Sequence, residues 1–189
     1  MKISFLVFCL LTFFILQGCK AKPVQISDPN IKIFAGKVFY KNEPFTGTLL
    51  EEIAVLGQIQ TTEFQNGVED GEQISIVLGG QVLEKRYYEN GMKEGIHRSW
   101  FPNGNRRLYS KFINGRYVGD RMEWFDNGQL AIYEKYDENS KILVTKKWNQ
   151  NGKIYMNVVF SDDGSSVGLP GSKICKPIYG SNAGPSNEK

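Results

Sequence analysis

From Ile31 to Asp163 turn signals rich in Gly and Asn arrive every ten to fourteen residues, five to eight residues of strand length lie between them, and no stretch sustains a helical period. The segment "YYENGMKEGIHRSWFPNGN", Tyr87 to Asn105, shows the unit: two Asn-Gly pairs thirteen residues apart, each flanked by aromatics. Asn-Gly between such runs predicts a β-hairpin, because both central positions of a type I′ turn need φ > 0. Hairpin following hairpin predicts an all-β chain laid out as a single-layer antiparallel meander.

The pattern also repeats. Tyr40, Phe64, Tyr88, Phe112, Tyr136 and Phe160 stand 24 residues apart, and Trp100, Trp124 and Trp148 keep the same step. Gly47, Gly71, Gly95 and Gly119 form a third series, and Gly80, Gly104, Gly128 and Gly152 a fourth. Shared periodicity in four series predicts one two-strand unit used serially. Each unit carries an N-G-x-x-x-G turn, as at Asn90 to Gly95, and a tight step such as Asn103-Gly104.

Two strands per unit at about 4.8 Å each put equivalent residues roughly 9.6 Å apart along the sheet. The Tyr/Phe and Trp series should then run along opposite margins. A lone sheet has no second layer to bury against, so the rings must supply the stability, roughly 2–3 kcal/mol for each half-buried ring. Two-residue tight turns would set Trp100 opposite Arg107 and Phe101 opposite Arg106, leaving an aromatic beside a guanidinium on both faces, open to cation–π stacking. Aromatics and arginine dominate binding hot spots, which singles out Arg98, Trp100, Arg107, Tyr109, Trp124 and Tyr133 as a candidate binding set.

The first residues change the setting. Lys2 is followed by an uncharged run of fourteen residues from Ile3 to Leu16, short of the roughly 20 that a membrane-spanning helix needs. Residues 1–18 therefore read as a signal peptide. "LQGC", Leu16 to Cys19, is similar to a bacterial lipobox, which implies cleavage before a lipidated Cys19 and attachment to a membrane through that lipid. An uncleaved anchor and an ordinary secretory signal with an incidental Cys19 are the alternatives, and all three put the rest of the chain outside the cytoplasm. Lys20 after the cysteine points, by analogy with enteric sorting, to the outer membrane. Residues 19–30, with two prolines, read as a tether, 31–163 as the repeat domain, and the Gly/Ser/Pro-rich 164–189 as a flexible tail.

Charge excludes little in total. Without Lys2 the chain has 22 basic and 20 acidic side chains, no argument for nucleic acid. Between Lys85 and Arg121, however, nine Lys/Arg face three acids. Such a stretch is either the solvated side of a strand or a surface for an anionic partner. With Cys9 in the signal and Cys19 on lipid, Cys175 is left without an internal partner.

Catalysis finds no footing. His97, the one histidine, reads as an exposed or half-packed surface residue, no spacing suits a zinc site, and the glycines are explained by turns. No enzyme activity, metal or cofactor is expected.

"YYENGMKEGIHRSWFPNGN" and "FINGRYVGDRMEWFDNGQL" closely resemble the variant MORN repeat of bacteria, closely over residues 86–130 and recognisably over 38–160. It departs at "DENSKILV", where Asn139-Ser140 and Leu143 replace Asn-Gly and Gly. The resemblance implies a MORN-type sheet that acts by binding, and links the chain to the YwqK-like, antitoxin-labelled family. The expectation is a lipid-anchored, non-catalytic interaction module of the cell envelope with an envelope protein or glycan as partner. The alternatives are a structural envelope component without a ligand, or an antitoxin-like binding protein.

Overall fold

The computed structural model describes residues 22–169. The signal segment, Cys19 and Cys175 lie outside the described residues. The first strands are β1 (Val24–Gln25), β2 (Ile31–Phe34), β3 (Lys37–Tyr40), β4 (Glu43–Pro44), β5 (Gly47–Ile53) and β6 (Gln58–Gln65). Next come β7 (Val68–Val77), β8 (Val82–Glu89), β9 (Met92–Lys93), β10 (Gly95–Trp100), β11 (Arg106–Ile113) and β12 (Arg116–Tyr117). The last are β13 (Gly119–Trp124), β14 (Leu130–Tyr136), β15 (Ile142–Trp148), β16 (Ile154–Phe160) and β17 (Ser166–Leu169). Among the described residues the fold is all-β apart from a 3₁₀ turn at Ala54–Leu56.

The main sheet has 14 strands, and from β5 onward neighbours follow chain order and pair antiparallel. Three details differ from the sequence reading. β2, β3 and β4 form a separate three-stranded sheet, so the layer is not single at its start. The expected tether joins the fold, because β1 pairs parallel with β5 and Ile26 N donates to Leu50 O at 2.8 Å. At the other end, the expected tail contributes β17, paired to β16 from Ser166.

The two turn types are chemically distinct, although both are written Asn-Gly. Asn90 (φ 49°) and Gly91 (φ 78°) are both left-handed, the type I′ turn expected. At 101–105 only Gly104 is left-handed: its N–H donates to Phe101 O at 2.9 Å while Phe101 N donates to Asn105 O at 2.8 Å. This is a type I turn closed by a glycine bulge, not the expected type I′ turn, and Pro102 sits at the position of a type I turn that suits its fixed φ. The extra residue shifts the register, so Trp100 faces Arg106, not Arg107. The same bulge recurs between Glu123 and Trp124 and between Lys147 and Trp148. At "DENSKILV" the loop tightens likewise, with Ser140 (φ 67°) left-handed and Ser140 N donating to Asp137 O.

Successive turns clamp one another. Asn66 N donates to Thr46 Oγ1 (3.0 Å), Asn90 N to Asp70 Oδ2 (3.0 Å) and Asn114 N to Glu94 Oε2 (2.8 Å). Gly67, Gly91 and Gly115 N–H groups donate to Phe45, Glu69 and Lys93 carbonyls, each at 2.8 Å. On the other margin Asn103 and Asn105 side-chain amides both donate to Asp126 O at 2.8 Å. Backbone groups at both margins are thus satisfied by the neighbouring hairpin.

Burial follows two patterns. At the start, Val38, Phe45 and Leu49 form a small apolar core against Val24, Ile26, Ile31, Tyr40 and Phe64. Further along, rings pack in a chain: Tyr88–His97 5.8 Å, His97–Phe112 4.6 Å, Phe112–Tyr117 4.5 Å and Tyr117–Tyr136 5.2 Å between centroids. His97 is 3% exposed, so the reading of it as a surface residue is corrected: its imidazole is a member of the ring stack.

Candidate functional site

Cross-strand registers divide the side chains of the middle strands between two faces. One row runs Lys85, Arg98, Tyr109, Met122, Tyr133, Lys146. On the opposite face His97 pairs with Ser110, Ser99 with Leu108, and Arg121 with Glu134. We call these the Arg98 face and the His97 face.

On the Arg98 face, β10, β11 and β13 enclose a cleft of about 360 Å³ lined by Arg98, Trp100, Arg106, Tyr109, Met122 and Trp124, with Ser99 and Leu108 at its base. The bulges at Trp100 and Trp124 build it. A bulge re-aims the side chains beside it, and both indoles sit at such a point on neighbouring hairpins. The Arg98 guanidinium lies 6.0 Å from the Tyr109 ring centroid, and that of Arg106 6.0 Å from Trp124. Neither arginine makes an ion pair among the described residues, and no carboxylate lines the cleft. Its chemistry is therefore cationic and aromatic together.

A second cleft, about 450 Å³, lies on the His97 face and is lined by Glu84, Arg86, Ser99, Phe101, Arg107, Leu108, Glu123 and Trp124. On this face Arg86 and Arg121 are paired, while Arg107 makes no ion pair among the described residues. Arg86 pairs with Glu84 at 2.7 Å and donates to Gln73 Oε1 at 3.3 Å. Arg121 pairs with Glu134 at 2.6 Å and also with Glu123. Burial works against the Arg121 charge, but Glu123 and Glu134 outweigh it and its pKa is raised. Burial, then the Glu134 carboxylate to which its hydroxyl donates at 2.9 Å, pushes the Tyr136 phenol up to about 12. His97 Nε2 lies 2.9 Å from Tyr87 O, to which the Nε2–H tautomer donates, and 3.3 Å from Tyr87 N, from which the Nδ1–H tautomer accepts. Desolvation first, then the nearby Arg86 and Lys93, lower the His97 pKa, with backbone hydrogen bonds at Tyr87 and Glu94 pulling the other way.

Of the six binding residues chosen from sequence, Arg98, Trp100, Tyr109 and Trp124 meet in the first cleft. Arg107 does not: it lines the second cleft and lies 6.0 Å from Phe101. Tyr133 lies next in the row beyond Met122, its hydroxyl donating to Asp120 Oδ1 at 2.9 Å. Sequence reasoning missed Arg106 and Met122. Pro102 was the available signal for Arg106, because it favours the longer turn that brings position 106 opposite Trp100.

Among the described residues no group of three or more His, Cys, Asp or Glu side chains could hold a metal ion. No protein-family model matches the chain, and no curated protein matches its sequence.

Proposed function

We propose that the chain is a lipid-anchored, non-catalytic binding module of a bacterial cell envelope, a MORN-type repeat sheet with a 24-residue period that presents one cationic, aromatic cleft to a partner. The lipobox-like "LQGC" supports attachment through Cys19, and the Lys20 after it supports the outer membrane. The observation that carries the binding role is the pair of guanidiniums, Arg98 and Arg106, held over rings in a cleft without a carboxylate. Two guanidiniums without an ion pair among the described residues, in one cleft that no carboxylate lines, suit recognition of an anionic partner.

A second reading has its own support. The stack from Tyr88 to Tyr136 is buried at Tyr88, His97 and Phe112 and half-buried at Tyr117 and Tyr136, and its rings serve folding. If the cleft serves folding as well, the protein is a structural envelope component.

Two experiments decide. Metabolic labelling with a fatty acid should mark wild type and not Cys19→Ala; a label that persists in the variant removes the lipid anchor. Capture from detergent-solubilised envelopes should recover a stoichiometric partner that is lost with Trp124→Ala and Arg106→Gln while folding is retained. No partner, and variants that behave as wild type, leave the structural reading.

A further inference from the structure

We infer that the cleft between β10, β11 and β13 binds an acidic sugar residue, its carboxylate or phosphate held by Arg98 and Arg106 and its ring face laid against Trp100 and Trp124. The inference deepens the proposed binding role and rests on it.

Three features select this chemistry. The first is sign: two guanidiniums and no carboxylate line the cleft, so an anion gains and a cation is repelled. Each guanidinium has a ring within reach of its face, which leaves its N–H edge available for the two oxygens of a carboxylate or phosphate. The second is surface: Trp100, Trp124, Tyr109 and Met122 present flat, polarizable, apolar atoms. A bare inorganic anion cannot use these, whereas the C–H face of a pyranose can. The third is size. About 360 Å³ lies at the small end of ligand sites, roughly 300–1,000 Å³, and so suits one sugar residue.

The chain's own last segment is a poor occupant. Residues 170–189 carry Lys173, Lys176 and Lys189 against Glu188, and so bring the wrong sign to two arginines.

The test uses the full-length protein in detergent, followed by calorimetry and by tryptophan fluorescence. The probes are a tetrasaccharide alternating glucuronate with N-acetylglucosamine, the neutral N-acetylglucosamine tetrasaccharide, and inorganic phosphate. The acidic sugar should bind, the neutral one should bind at least about tenfold more weakly, and phosphate should compete poorly because it leaves the rings uncovered. Arg98→Gln and Arg106→Gln should each weaken acidic-sugar binding between about tenfold and a hundredfold. Lys111→Gln should not, since Lys111 is exposed and lies outside the cleft. Both arginines are exposed, so the variants should keep the wild-type unfolding midpoint.

Equal binding of acidic and neutral sugars, or a Lys111→Gln loss as large as the arginine losses, overturns the inference. So does phosphate competing as well as the sugar, which would make the cleft a simple anion site. If no sugar binds, capture from envelopes separates the two claims. Capture that still depends on Arg98 and Arg106 and is abolished by protease keeps the binding role and removes the sugar. Capture that depends on neither removes both.

Discussion

The two faces of the sheet around β10, β11 and β13 are built from the same residue types but differ in where their carboxylates stand: Glu84 and Glu123 line the cleft on the His97 face, and no carboxylate lines the cleft on the Arg98 face. On the His97 face, Arg86 and Arg121 are held by Glu84, Glu123 and Glu134, and a histidine is sealed between Tyr88 and Phe112. On the Arg98 face, Arg98 and Arg106 lie over rings with no carboxylate in the cleft. Cation–π contact alone is worth about 0.5–1 kcal/mol at an exposed site, whereas hydrogen bonds to charged groups contribute about 1.5–3 kcal/mol. The ion pairs of the His97 face therefore hold the fold, while Arg107 on that face and the two arginines of the Arg98 cleft are not tied down by an ion pair among the described residues. Only the Arg98 cleft combines two such charges with no carboxylate in its lining. A β-sheet can divide labour this way because alternate residues of each strand belong to different environments.

The sharpest way to break that division is to compare neighbours on β11. Phe112, 4% exposed, packs on His97 and Tyr117, while Lys111 points to the other face and is exposed. Phe112→Ala should cost about 3–5 kcal/mol and Lys111→Ala less than about 0.5 kcal/mol, read as urea unfolding midpoints. Similar losses would mean that the ring stack does not carry the stability.

Arg121 comes next. Truncation leaves the half-buried Glu134 and Glu123 without their cation, so Arg121→Ala should cost about 1.5–3 kcal/mol. Adding Glu134→Gln should recover part of the loss, because it removes one of the stranded charges. If the double variant is the sum of two independent losses, the pairing has no stabilising role.

Acid should act through His97. Its folded pKa is lowered below the ordinary 6.5, so the unfolded chain takes up the proton first. The neutral ring contributes its full stability above about pH 6.5, and that contribution falls as pH drops from there toward the lowered folded value. The charges facing the ring, Arg86 and Lys93, oppose protonation. Wild type should therefore lose stability between pH 7 and 5 faster than His97→Gln does. Parallel pH profiles for the two would show that His97 does not titrate differently in the folded protein.

How much of this was legible in the chain depends on the range of the interaction. Hairpins are local, and an Asn-Gly flanked by aromatics states its turn within a few residues, so the all-β architecture could be read directly. The choice between a two-residue turn and a three-residue turn with a bulge rests on one neighbour, Pro102. It moved Arg106 into the cleft and Arg107 to the other face. Burial of His97 was beyond local reading, since Tyr88 and Phe112 close over it only when β8, β10 and β11 are aligned. The pairing of β1 with β5 was hidden for a similar reason. Two residues near prolines carry no strand signal until Leu49 and Leu50 stand beside them.

The smallest expected effect tests the division from its quiet side. Arg106→Gln removes a guanidinium that lies 6.0 Å from Trp124 and shares its cleft with Arg98. The lost cation–π attraction, at most about 1 kcal/mol, is offset by relief of repulsion between two like charges, and Gln leaves no buried charge unpaired. The urea midpoint should then stay within about 0.5 kcal/mol of wild type. A drop comparable with that of Arg121→Ala would place Arg106 among the groups that hold the sheet together and deprive the cleft of its spare charge.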